Sequence, residues 1–155
     1  VSKTIGDLAG PCLFAVFMGI SRMLYGKMSE KLNLTKTMLL SGLLCVACYL
    51  LASLSPVPIL GLAGCAICGF SVGIMWPGTI SLSSQKCPQG GTAMFAFLAL
   101  AGDFGGTVSP AIVGKFSELA GGNLKAGLLT ATFFPILLVA CLLVLSRRMK
   151  SAIRK

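Results

Sequence analysis

From Thr37 to Gln85 the chain carries no charged residue. A water-soluble domain has about 25% charged residues distributed over its surface, so a run of this length without one has no ordinary place in water. A bilayer accommodates it. A hydrocarbon core about 30 Å thick takes roughly 20 helical residues, and the run is long enough for two passages. The segment "SLSPVP", residues 53–58, divides it. Pro56 and Pro58 each lack an N–H, and each disfavours helix in the residue before it. Two spans joined by a tight hairpin are expected.

The rest of the 155 residues agree. The chain is 55% hydrophobic and 11% charged, with a mean hydropathy of +0.91. Five segments qualify as spans: about 5–25, 37–53, 58–83, 92–116 and 126–146. They are Leu-rich and much longer than the 9–11 residues of a barrel strand. A span in lipid must satisfy its backbone internally, which makes them helices. The expected fold is an all-α polytopic membrane bundle of five helices.

Charge sets the direction. Lys and Arg number 13 against four acids. One set of span ends holds Arg22, Lys27, Lys31, Lys36, Lys86, Arg147, Arg148, Lys150, Arg154 and Lys155. The other holds Lys3, Lys115 and Lys125. By the positive-inside rule the C-terminus is cytoplasmic and Val1 lies outside. An outside start that is not Met and shows no leader pattern is expected of a piece that follows an earlier span. The basic residues flank apolar runs without interleaved aromatics, which speaks against nucleic acid as a partner.

Several chemistries are excluded or disfavoured. The chain has no His, so His-based catalysis and His metal ligation are absent. An intramembrane aspartyl protease needs two carboxylates at similar depth, and only Asp103 is deep. Seven Cys include the pairs Cys45/Cys48 and Cys65/Cys68. Both pairs fall inside charge-free spans, with nothing in the sequence to stabilise a thiolate. They read as small, polarizable packing residues. No metal, cofactor or enzyme activity is expected.

Asp103 is the exception in this apolar chain. In "LALAGDFGGTVSPAIVG", residues 98–114, no other charge lies within ten positions of it. It sits within about one residue of the centre of the fourth span. A charge at that depth costs about 2.5–3.5 kcal/mol on insertion scales. Such a carboxylate is expected to face a water-filled cavity, pair with a cation or take a proton, and Asp103 is the candidate for proton coupling or substrate contact.

The first cytoplasmic loop reads "YGKMSEKLNLTK", residues 25–36. It resembles the loop signature of the major facilitator superfamily, roughly Gly-x-x-x-Asp-Arg/Lys-x-Gly-x-x-Arg/Lys. Gly26 matches the glycine, Glu30 replaces the Asp, and Lys31 and Lys36 supply the bases. Asn33 stands at the second glycine and is expected to tolerate a left-handed backbone there. In the family a copy of this loop joins the eighth and ninth helices, and four helices follow it here. The resemblance therefore implies helices eight to twelve, a partial C-terminal transmembrane domain over residues 1–155 whose partner half lies elsewhere in the same chain. The nearest flavour is that of bacterial sugar and metabolite carriers such as the fucose-permease-like group. In the family the loop acts as a latch between the two halves.

Small residues draw helices together in lipid. The third span places Gly61, Cys65, Gly69 and Gly73 on one stripe. The fourth places Gly102, Gly106, Pro110 and Gly114 on another, similar to a Gly-x-x-x-Gly-Pro pattern of the family but with the proline shifted. Kinks are expected at Pro77 and Pro110, and in the fifth span at Pro135. Trp76 lies about 9 Å from the middle of the third span at 1.5 Å per residue, where a membrane-interface belt and a substrate platform explain it equally well. By family analogy the first, third and fourth spans line a cavity, with Phe14, Met18, Ser71, Trp76, Ala99 and Thr107 as lining residues. The function so implied is secondary active transport of a small solute across the cell membrane by alternating access, with protons as coupling ion. The alternative is a non-transporting membrane subunit or a truncated transporter relative.

Overall fold

The structure is a computed structural model and describes residues 3–28 and 32–153. Its described residues are helical apart from short connections. In chain order the helices are α1 (Lys3–Met28), α2 (Leu34–Leu54), α3 (Pro58–Gly73), α4 (Met75–Lys86), α5 (Gly91–Leu119), α6 (Leu124–Ala131) and α7 (Phe133–Ile153). α3 with α4, and α6 with α7, each make one continuous passage. Five passages are long and apolar enough to cross a membrane: Leu8–Met28, Leu34–Leu54, Pro58–Lys86, Gly91–Leu119 and Leu124–Arg147.

The connections follow from local chemistry. Asn33 has φ −74° and ψ 98°, and its side-chain oxygen accepts from the Lys36 N–H at 3.2 Å. It is therefore an N-cap in extended conformation, and the left-handed backbone expected there is not used. An amide oxygen that satisfies an orphan N–H of α2 accounts for Asn at this position. At the hairpin, Pro58 opens α3 in its first turn, where no N–H is needed. Gly121 and Gly122 take φ of +71° and +82° in the turn after α5, a backbone that side-chain-bearing residues rarely adopt. Asn123 then caps α6 through the Lys125 N–H.

Two of the expected kinks are breaks in the helix. α3 ends at Gly73 and α4 begins at Met75, and Pro77 is the residue whose missing N–H would have bonded the Gly73 carbonyl. α6 ends at Ala131 in the same relation to Pro135. α5 runs unbroken through Pro110. A proline removes one hydrogen bond of the ladder, and the remaining bonds on either side carry α5 past it without an end.

α2 is the centre of the bundle and packs on α3, α4, α6 and α7. Met38, Leu82 and Leu142 from α2, α4 and α7 form one buried cluster. Cys45, Cys48 and Cys68 form another at the α2–α3 seam. α1 lies along α3, where Gly69 and Gly73 present bare backbone. A Cβ at Gly69 would strike the Phe14 backbone, and one at Gly73 would lie 2.7 Å from the Ser21 Cβ and 2.8 Å from the Met18 carbonyl oxygen. Gly61, on the same stripe, has nothing within 4 Å. α5 stands apart. It packs on α6 near one end, and Ser117 is its one buried residue.

Candidate functional site

α5 carries Asp103 at the middle of its 29 residues. At about 100° per residue, Ala99, Thr107, Pro110 and Gly114 each point within about 40° of the direction of Asp103. All five are exposed. About a quarter-turn round from Asp103 the helix carries Phe97, Leu100 and Phe104, each more than 60% exposed. A narrow face of small and polar residues, centred on a carboxylate, is thus flanked on one side by large apolar side chains. The Thr107 hydroxyl donates to the Asp103 carbonyl oxygen at 2.9 Å, which leaves the carboxylate itself to other partners. Among the described residues Asp103 pairs with no cation. Gly106 and Gly114 have nothing within 4 Å of where a Cβ would stand, so the small-residue stripe of α5 is open along most of its length.

α5 also meets α4. A Cβ at Gly102 would lie 3.1 Å from the ring of Trp76. The indole therefore rests on α5 one residue from Asp103. Trp76 also borders a cleft of about 370 Å³ with Arg22, Tyr25, Gly26 and Pro77. The Tyr25 hydroxyl lies 3.4 Å from Ser81 Oγ and ties α1 to α4 across this cleft. Arg22 is exposed at its edge and pairs with no carboxylate among the described residues. One aromatic ring thus joins a cleft lined by Arg22 on α1 and by α4 to α5, about a quarter-turn round from Asp103.

The expected lining residues divide between this region and others. Trp76, Ala99 and Thr107 lie on it. Met18 lies at the α1–α3 contact through its carbonyl oxygen. Phe14 borders a second, apolar cavity between α1, α2, α3 and α6. Ser71 is 1% exposed, and its hydroxyl donates to the Ser41 carbonyl oxygen at 2.7 Å, so it is turned to α2. Of the loop signature, Gly26, Asn33 and Lys36 are described, while Glu30 and Lys31 lie outside the described residues.

Sequence reading assigned Arg22 and Tyr25 no part in a site. The signal was available, because Met18, Arg22 and Tyr25 recur at helical spacing on the side of α1 turned toward α3 and α4. A family model described as Major Facilitator Superfamily matches residues 5–155. No curated protein and no solved structure matches the chain.

Proposed function

The chain belongs to the major facilitator superfamily, and on that premise we propose that it forms the C-terminal part of a proton-coupled carrier of a small solute. It is a multi-pass membrane transporter of the major facilitator type. The solute is a sugar or another small metabolite, and the carrier works by alternating access in the cell membrane with its C-terminus in the cytoplasm. Asp103 is the group that takes up and releases the proton or touches the solute. The face around it completes its pathway against the other half of the same protein, which covers α5. The loop signature over residues 25–36 supports reading this piece as helices eight to twelve.

One observation carries the reading. Asp103 stands exposed at mid-span on the small-residue face of α5, with no cation beside it among the described residues. A bare carboxylate facing lipid costs several kcal/mol, so the face must meet water or a partner. In a carrier built from two repeats, that is where solute and coupling ion bind.

The test is solute-evoked proton movement. The full protein is reconstituted in vesicles with a trapped pH dye and challenged with a panel of neutral monosaccharides and small organic acids. The expected result is a pH change evoked by one class of solute, lost in Asp103→Asn. Exchange of labelled solute with no proton movement refutes the coupling. No flux of any solute favours the non-transporting reading.

A further inference from the structure

The two Cys-x-x-Cys pairs face one another. Cys45 and Cys48 lie on α2, Cys65 and Cys68 on α3, and the Sγ atoms of Cys45 and Cys68 are 3.8 Å apart. The helices run antiparallel here, and the contacts keep register. Ser41 bonds Ser71, Cys45 meets Cys68 one turn on, and Gly64 then approaches the Cys48 carbonyl oxygen, 3.4 Å from where a Cβ would stand. Glycine and serine at this seam bring the two backbones close, as a disulfide between facing helices requires. Cys48, Cys65 and Cys68 border an apolar cavity of about 330 Å³, along with Phe14, Tyr49 and Leu128. Cys45 does not line it and lies behind Cys68.

We propose that Cys45 and Cys68 are an oxidisable dithiol that closes into a disulfide stapling α2 to α3, with a lipid-soluble hydroperoxide admitted by the cavity as the oxidant. Cys68, on the cavity wall, is the sulfur that meets the peroxide. Its sulfur attacks the terminal peroxide oxygen, the O–O bond breaks, and the alcohol leaves with one proton. Cys68 is then a sulfenic acid. The Cys45 sulfur attacks it, the S–S bond forms, the S–O bond breaks, and water leaves with the Cys45 thiol proton. Two thiols lose two protons and two electrons, and one hydroperoxide takes them up to become alcohol and water. A sulfenic acid with a thiol in contact condenses in this way. The product is neutral, which suits a site without charge. The low thiolate content of an apolar site slows the first step, while the facing thiol makes the second intramolecular.

The site predicts which thiols react. Cys48 and Cys65 reach the same cavity, but Cys65 Sγ is turned to the Gly10 carbonyl oxygen at 3.7 Å. They are bystanders. Cys12, Cys87 and Cys141 are exposed and isolated from the cluster.

The experiment uses the full protein in lipid vesicles exposed to cumene hydroperoxide. Remaining thiols are blocked with N-ethylmaleimide, and the protein is digested with chymotrypsin and weighed. Trypsin is unsuitable, because no Lys or Arg lies between Thr37 and Gln85; chymotrypsin cuts after Tyr49 and separates the pair. The expected result is a crosslink of the Cys45 and Cys68 peptides, lighter than the dithiol by two hydrogens and opened by a phosphine reductant. It persists in the Cys48→Ala, Cys65→Ala double variant and disappears in Cys45→Ser. Recovery of both peptides in maleimide-blocked form, or a dominant crosslink through any other cysteine, overturns the proposal.

Discussion

Gly69→Ala adds a single methyl group, and the structure fixes where it goes. The Cβ would strike the carbonyl oxygen and Cα of Phe14, at separations real Cβ atoms do not adopt. Both obstacles are backbone, so no side-chain rotation relieves them, and α1 must withdraw from α3 along their shared contact. Overpacking of this kind costs about 1–3 kcal/mol. Against it stands the helix propensity of Ala over Gly, about 0.5–1 kcal/mol in favour of the substitution. Gly61→Ala isolates that second term, because Gly61 lies on the same helix with nothing within 4 Å. The measurement is thermal unfolding of the full protein in detergent, with both variants beside the parent. Gly61→Ala should match or slightly exceed the parent. Gly69→Ala should melt lower than Gly61→Ala by up to about 12 °C, since each kcal/mol is worth about 2–4 °C in chains of 150–250 residues and less in longer ones. Equal melting temperatures for the two variants would refute the close approach of α1 and α3, and with it the seam on which Met18 and Phe14 are placed.

Three further outcomes follow from individual contacts. Ser71→Ala removes the buried hydroxyl bonded to the Ser41 carbonyl oxygen and should lower stability by about 0.5–1.5 kcal/mol; in an uptake assay its KM should stay at the parent value, since the side chain is turned to α2. Lys125 Nζ donates to the Ser55 carbonyl oxygen at 2.7 Å, at the C-terminal end of α2 where a cation is favoured, so Lys125→Met should cost about 0.3–1 kcal/mol in unfolding at low ionic strength and less in high salt. Gly102→Val should turn the Trp76 ring and change its accessibility to a fluorescence quencher, whereas Gly105→Val, with nothing within 4 Å, should leave it unchanged.

The five spans were legible because each is a matter of length and polarity, and both are local. The charge-free run from Thr37 to Gln85 and the prolines of residues 53–58 marked the α2–α3 hairpin without any knowledge of packing. The breaks at Pro77 and Pro135 were legible for the same reason. α5 runs on through Pro110 without an end, because a lost hydrogen bond ends a helix only where the neighbouring turns do not hold. Asn33 matched the position of a glycine, yet its side-chain amide caps α2, a role that depends on where the helix begins. The site divides along a similar line. Asp103 announced itself by depth, a property of sequence position alone. The direction of Ser71 toward α2 and the face-to-face approach of Cys45 and Cys68 depend on how two antiparallel helices register. Neither residue's own helix encodes that register. Arg22 beside Trp76 belongs to the same class, because the cleft exists only once the packing of α1 on α3 brings α1 alongside α4.

In the proposed carrier Asp103 is the coupling group. The most direct test is accumulation of the transported solute in vesicles holding the full protein, driven by an imposed pH gradient, with Asp103→Asn beside the parent and counterflow of labelled solute measured in both. The account predicts that the parent concentrates solute under the gradient and that Asp103→Asn exchanges solute but no longer concentrates it. Gradient-driven accumulation in Asp103→Asn at the parent rate and with the parent pH dependence would contradict it.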